Sequence, residues 1–276
     1  MTISRFASEQ ARQRYEQVYD SLLDWPLPYE DLTVETSFGP TYVRRSGSGK
    51  PLVLLHGFAV TSLMWQRHVA ELGRDHEVFA VDSIGEAGRT VQTAPIEDAQ
   101  ALADWLDQVL AGLGLDNAHL VGLSRGGWLA LNQAIRMPWR LSRITALDPA
   151  GLAPARIRAA LYIHVGLLVM LLPGFVRRRI KPGSTFGAIA DPMVRRIVFA
   201  QLGFLTKAFM VGQISDEQLR SISVPTRIVL GGRSPIHNAV KVRERLRRLG
   251  LDAEIVDAAH DLGLIELGFP CPAGGT

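Results

Sequence analysis

The sequence predicts a doubly wound α/β fold around a mostly parallel sheet, and three observations carry that reading. "PLVLLHG" (51–57) is a short, continuous apolar run ending in glycine, the mark of a strand buried on both faces. Strand-like and helix-like segments alternate along most of the chain. The 276 residues, 47% apolar and 21% charged, suffice for one large core and exclude global disorder.

The elements follow in order. An amphipathic helix covers residues 8–23. "LTVETS" (32–37) and "TYVRR" (41–45) form two antiparallel strands around the Gly39-Pro40 turn. After "PLVLLHG" comes a helix near Leu63 to Leu72, then the strand "EVFAVD" (77–82) and a turn-rich loop, "SIGEAGRT". Residues 97–111 form a helix with Ala101, Leu102, Trp105, Leu106, Val109 and Leu110 on its apolar face. "AHLVGLS" (118–124) is a strand, "RGGWLALNQAIRM" (125–137) a helix stopped by Pro138, and "RITALDP" (143–149) a strand. The alternation then pauses until "TRIVLGG" at Thr226, too long a gap for one crossover helix. The intervening segment has helical spacing and reads as an inserted cap. A helix from Asn238 to Leu249 and the strand "AEIVDAAH" (253–260) complete the pattern. The expected organisation is a helical extension (1–31), a core in two parts (32–148 and 225–268) enclosing the cap (149–224), and a Gly/Pro-rich tail (269–276).

Composition narrows the function classes. Thirty Lys and Arg against 27 Asp and Glu do not by themselves imply nucleic acid. The basic helix "KVRERLRRLG" (241–250) reads as a solvated face, since Val242, Leu246 and Leu249 recur at helical spacing. A single cysteine, Cys271, permits no internal disulfide and is compatible with a reducing compartment. The N-terminus lacks the apolar stretch of a signal peptide, so a cytoplasmic protein is expected. "ALYIHVGLLVMLLPGF" (160–175), followed by Arg177-Arg178-Arg179, is too short to span a bilayer and contains His164 and Pro173. It reads as a buried or lid helix, with peripheral membrane association as the lesser alternative.

Three segments carry chemistry. Gly122-Leu123-Ser124-Arg125-Gly126 is G-x-S-x-G between a strand and a helix. A sharp strand-to-helix turn lifts the Ser124 hydroxyl clear of the backbone, and the helix N-terminus favours developing negative charge, with the Arg125 N–H as a donor. The alternative is a tight turn with an inert serine. His56-Gly57-Phe58 closes the first buried strand, where the Phe58 N–H can supply a second oxyanion donor; His56 itself reads as a loop brace. His260 follows the last strand, where a general base reaches the nucleophile in this type of sheet. His237 is its competitor.

These residues resemble the α/β-hydrolase superfamily, most closely its bacterial esterases and carbon–carbon-bond hydrolases, from about Leu32 to Glu266. The resemblance implies the α/β-hydrolase fold, with eight strands. It also implies Ser124 as nucleophile, His260 as base, and the Phe58 and Arg125 N–H groups as the oxyanion hole. Two departures stand out. Relatives often end the strand matching "TRIVLGG" with G-x-x-D-P, where this chain has Ser234. Relatives also usually close with a helix after the histidine, whereas "GFPCPAGGT" carries no helix pattern, which leaves truncation or an altered reading frame open.

The acid must therefore lie elsewhere at the same sheet edge. Asp148 ends the strand after the elbow helix, a position that some branches of the superfamily use for this acid. Asp at "DP" is also a common turn opener. Asp257 and Asp261 flank the histidine less favourably, and Asp82 reads as a loop brace. The expected function is a serine hydrolase of small, lipophilic carboxylic esters working through Ser124, His260 and Asp148. No cofactor or metal is implied, and no nucleic-acid partner; the oligomeric state is open. Leu161, Ile163, Leu167, Leu168, Met170 and Leu171 either line a lipophilic pocket or pack against the core. The alternatives are carbon–carbon bond hydrolysis and a catalytically weak binding or sensor relative.

Overall fold

Alternate residues of the buried strands feed two hydrophobic layers, one on each side of a single sheet. On the third strand Val53 and Leu55 join the layer under the long helices, while Leu52 and Leu54 join the opposite one. Side chains alternate across a strand, so a strand covered on both faces must be apolar at every position.

The computed structural model describes residues 3–154, 157–180, 186–207, 209 and 211–260. Among them, β1 (Tyr29–Val34), β2 (Thr41–Gly47), β3 (Lys50–Leu55), β4 (His76–Val81), β5 (Ala118–Leu123), β6 (Leu141–Leu147), β7 (Thr226–Gly231) and β8 (Glu254–Val256) form one sheet. Its order is β1-β2-β4-β3-β5-β6-β7-β8; β2 is antiparallel to both neighbours and all other pairs are parallel. This is the predicted mostly parallel sheet of the α/β-hydrolase fold. The carboxyl ends of β3, β5, β6 and β7 lie side by side, and ligands of open α/β sheets gather outside that edge.

Helix α1 (Glu9–Leu22) is capped by Ser8, whose hydroxyl accepts from the Ala11 N–H. Its Tyr15 and Tyr19 are fully buried and donate or share hydrogen bonds with Ala87 O and Ser62 Oγ, both at 3.1 Å. Helix α2 (Ala99–Gly112), capped by Asp98, buries Leu102, Trp105, Leu106, Val109 and Leu110. Helix α3 (Arg125–Arg136) lies between α2 and the sheet, which is why ten of its twelve residues are buried. Between β6 and β7 the chain is mainly helical, with α4 (Ile157–Leu171) and α5 (Pro192–Ala200), and α6 (Ala239–Arg247) follows β7.

Three details differ from the sequence reading. β1 begins at Tyr29, so the expected boundary at 31/32 falls inside it; its first three residues are exposed on an edge strand, and burial alternation is too weak there to read. The segment 63–72 is a tight 3-10 turn (Ser62–Arg67) followed by Val69–Leu72, because the Asp82 carboxylate holds the Ser62 N–H at 2.9 Å and draws the turn in. A two-residue strand, Arg5–Phe6, pairs with Phe204–Leu205 and ties the N-terminal segment to the β6–β7 insertion. No helix of the described residues is long and apolar enough to cross a membrane. The tail, with Cys271 and Asp261, lies outside the described residues, as do the Leu161 and Ile163 side chains.

The buried tyrosines make α1 part of the core. Tyr19→Ala is expected to lower the unfolding free energy by about 3–5 kcal/mol and Tyr19→Phe by about 1 kcal/mol, read from urea denaturation.

Candidate active site

Ser124 stands between β5 and α3 with φ 55° and ψ −111°, a conformation that L side chains rarely adopt. The flanking glycines make the turn sterically feasible. A Cβ on Gly122 would lie 2.1 Å from Gly126 O, and one on Gly126 would lie 2.1 Å from Leu55 O. The elbow is stitched to β6 from both sides: Ser124 N–H donates to Leu147 O at 2.9 Å, and Ser124 O accepts from Ala150 N–H at 3.1 Å.

His260 reaches this elbow from beyond β8. Its Nε2 is 2.9 Å from Ser124 Oγ, and its Nδ1 is 2.6 Å from Asp148 Oδ2. This pairing selects the tautomer with hydrogen on Nδ1 and leaves Nε2 to accept from the hydroxyl. The three residues come from chain positions 112 and 136 apart along the two contacts.

Asp148 has no solvent exposure, and four groups approach its carboxylate. Oδ1 accepts from the Gly231 N–H at 2.8 Å; Oδ2 accepts from Ser234 Oγ at 2.6 Å and from His260. His237 Nε2 lies 2.9 Å from Oδ1, near enough for charge attraction but off the hydrogen-bond direction. Burial opposes ionisation of Asp148, yet the polar contacts and charge of His237 and His260 outweigh it and hold the carboxyl well below the usual carboxylate range. Ser234, which occupies the position where relatives carry an aspartate, thus donates to the carboxylate supplied by β6. Asp257, before the histidine, instead ion-pairs with Arg233 at 3.1 Å.

On the opposite side of Ser124, the turn after β3 closes in. A Cβ on Gly57 would lie 3.8 Å from Ser124 Cβ, which places the backbone leading to Phe58 beside Ser124. The Arg125 N–H belongs to the first turn of α3, where amides have no intrahelical acceptor. His56 is buried and braces the loop: its Nε2 accepts from the Ser83 N–H and its Nδ1 faces Gly57 O, both at 2.8 Å. Asp82 likewise holds the Ser62 and Arg89 N–H groups at 2.9 Å.

Two contributors were not read from sequence. Glu86, nearly fully buried, accepts the Ala59 N–H at 2.8 Å through Oε2 and ion-pairs with the Arg125 guanidinium through Oε1, so it joins the turn after β3 to the elbow. Tyr162 on α4 approaches the His260 ring edge-on at 6.5 Å and stacks on Phe186 at 5.4 Å. Glu86 lies in a turn-rich loop and Tyr162 in an apolar helix, and neither has a spacing signal. Among the described residues, Ala59, Ser124 and Asp148 are the non-glycine residues with positive φ, and all three meet here. Backbone strain gathers where function over-determines it.

The strand order, the strained elbow serine and the late histidine facing it agree with a family-level match over residues 52–266 to the alpha/beta hydrolase family. The chain belongs to the alpha/beta hydrolase family. Within it, the chain is 30% identical over 274 residues to carboxylesterase YbfK of Bacillus subtilis (strain 168), covering 94% of this chain and 92% of that one. The crystal structure of that carboxylesterase superposes with a TM-score of 0.80 at 28% identity, covering 92% of this chain and 93% of the other. The naproxen esterase of Bacillus subtilis superposes equally, with a TM-score of 0.80 at 28% identity over 93% and 94% of the two chains.

Two expectations follow from the buried carboxylates. Glu86→Ala leaves the Arg125 charge uncompensated and is expected to cost about 3–5 kcal/mol of stability by urea denaturation. Asp148 is more acidic folded than unfolded, so below about pH 4 the unfolded chain binds more protons and stability rises with pH. Asp148→Asn is expected to flatten that rise when unfolding midpoints are compared across the acid range.

Proposed function

We propose that the protein is a serine carboxylesterase of small, lipophilic esters, with Ser124 as nucleophile, His260 as general base and Asp148 as the orienting acid. The observation that carries this reading is the continuous relay from Ser124 Oγ through His260 to Asp148, at 2.9 and 2.6 Å. Relatives matching along nearly the full length are named carboxylesterases, which favours ester hydrolysis over carbon–carbon cleavage and over a binding-only role.

In the first half-reaction Ser124 Oγ attacks the acyl carbon while His260 Nε2 takes its proton. The N–H groups of Phe58 and Arg125 hold the oxyanion that forms, aided by the N-terminus of α3. Collapse expels the alcohol, which receives the proton from His260, and leaves an acyl-serine. Water then gives a proton to His260 as its oxygen attacks the acyl carbon. The acid leaves, and the proton returns to Ser124. Asp148 keeps the Nδ1 proton in place and stabilises the imidazolium at each transfer. Ser234, Gly231 and His237 position Asp148 without touching the ester. The segment 149–224 serves as the cap over this edge, with Tyr162 beside the histidine supporting that assignment.

The test is hydrolysis of a short-chain p-nitrophenyl ester by folded variants. Ser124→Ala is expected to abolish turnover and Asp148→Asn to reduce kcat by roughly 10⁴-fold. Near-wild-type turnover by Asp148→Asn would remove Asp148 from the relay, and wild-type hydrolysis undiminished in Ser124→Ala would end the serine-esterase reading. Ser234→Ala removes one hydrogen bond to the acid and is expected to lower kcat by about tenfold, with little change in KM.

A further inference from the structure

The positive charge of this protein is gathered in the insertion between β6 and β7. Residues 149–225 carry ten Lys and Arg against three Asp and Glu, a formal +7, whereas the rest of the chain nets −4 and the whole +3. Such asymmetry marks a face that meets negative charge.

Helix α4 adds an apolar component at the same place. Its inner side is covered: Val169 and Met170 are buried, and Gly166 abuts the Ile189 side chain. The outer side is not. Leu167, Leu168 and Leu171 lie together at i, i+1 and i+4 and remain 50%, 64% and 66% exposed, and Phe175, in the short turn of helix that follows Pro173, is 60% exposed. The expected buried or lid helix is therefore buried on one side only. Directly after these residues come Arg178 and Arg179, both exposed and neither with an ion-pair partner among the described residues.

We propose that this face docks on an anionic phospholipid bilayer, with the outer leucines and Phe175 entering the acyl–headgroup boundary and the arginines meeting lipid phosphates. An apolar patch edged by unpaired cations is the chemistry of an interfacial helix. A second copy of the chain fits less well, because a symmetric dimer sets the same patch against itself and brings the two basic clusters together. A nucleic acid would leave the leucines in water. The same helix carries Tyr162 against His260, so docking would bring the mouth of the proposed ester site to a surface where lipophilic esters concentrate. This last consequence rests on the esterase reading; the docking itself does not.

Sedimentation with vesicles tests it, using pure phosphatidylcholine and an equimolar mixture with phosphatidylglycerol. The protein is expected to sediment with the mixed vesicles only, and less so as salt is raised. The surface variant Arg178→Glu with Arg179→Glu is expected to keep the wild-type circular dichroism and its rate on a water-soluble ester. Its binding to mixed vesicles is expected to weaken at least about 25-fold, from roughly fivefold per arginine lost. Leu168→Asp with Leu171→Asp is expected to abolish binding. No sedimentation, equal sedimentation with both vesicle types, or wild-type binding by the arginine variant overturns the proposal. So does a dimer in light scattering that the aspartate variant dissociates, which assigns the face to a second copy. Sedimentation needs no turnover, so an enzyme inactive on esters that still binds the mixed vesicles would fail the functional reading alone.

Discussion

The Asp148 carboxylate is buried without solvent contact, and the arrangement around Ser124 depends on keeping it charged there. A buried carboxylate on its own would take up a proton. Here a backbone amide, a hydroxyl and two imidazoles converge on it from the β7 end, the loop that follows, and the segment after β8. The Gly231 amide is part of β7, and the other three groups lie just beyond the ends of β7 and β8. The Asp148 N–H donates to Val229 O at 2.7 Å, so the residue sits in the ladder between β6 and β7 before its side chain is considered. β6 and β7 are adjacent, with Leu147 at the end of β6 opposite Val229, so Asp148 and the residues at the end of β7 meet at one sheet edge.

Ser234 fits the charge at this place. With a carboxylate already within 2.6 Å of His260, a second one at this position would place two like charges side by side in a dry site. A hydroxyl at the same place does the opposite, donating to the carboxylate. Ser234 is a hydrogen-bond partner of Asp148.

A shared contact also holds the opposite side of Ser124. Glu86 spans from the Ala59 amide to the Arg125 side chain, so the two loops flanking Ser124 share one buried anion. Ala59, Ser124 and Asp148 all adopt positive φ, and each has its backbone N–H committed to a hydrogen bond: to Glu86, to Leu147 O and to Val229 O. The strained conformations persist because neighbouring strands and the carboxylate leave those amides no better alternative. Helix α4 contributes a different constraint, since Val169 and Met170 are buried and Gly166 packs on Ile189 while Leu168 and Leu171 are exposed.

Much of this was legible in the chain. Strand positions were readable because burial on both faces forces continuous apolar runs, as in "PLVLLHG", "AHLVGLS" and "TRIVLGG". The elbow was readable because only glycine fits at 122 and 126, where a side chain would strike backbone. The edge strand before Leu32, the 3-10 turn at 62–67 and the Arg5–Phe6 pairing were not, since each depends on a partner far along the chain rather than on local period. Ser124, His260 and Asp148 could be nominated by their places at strand ends, but sequence spacing could not show that Asp148 rather than Asp257 faces the histidine. Nor could it show that Ser234 and His237 point at the acid, or that Glu86 joins the two loops. Periodicity is a local property and specifies elements. A site is a set of distances between elements, and only the packed sheet sets those.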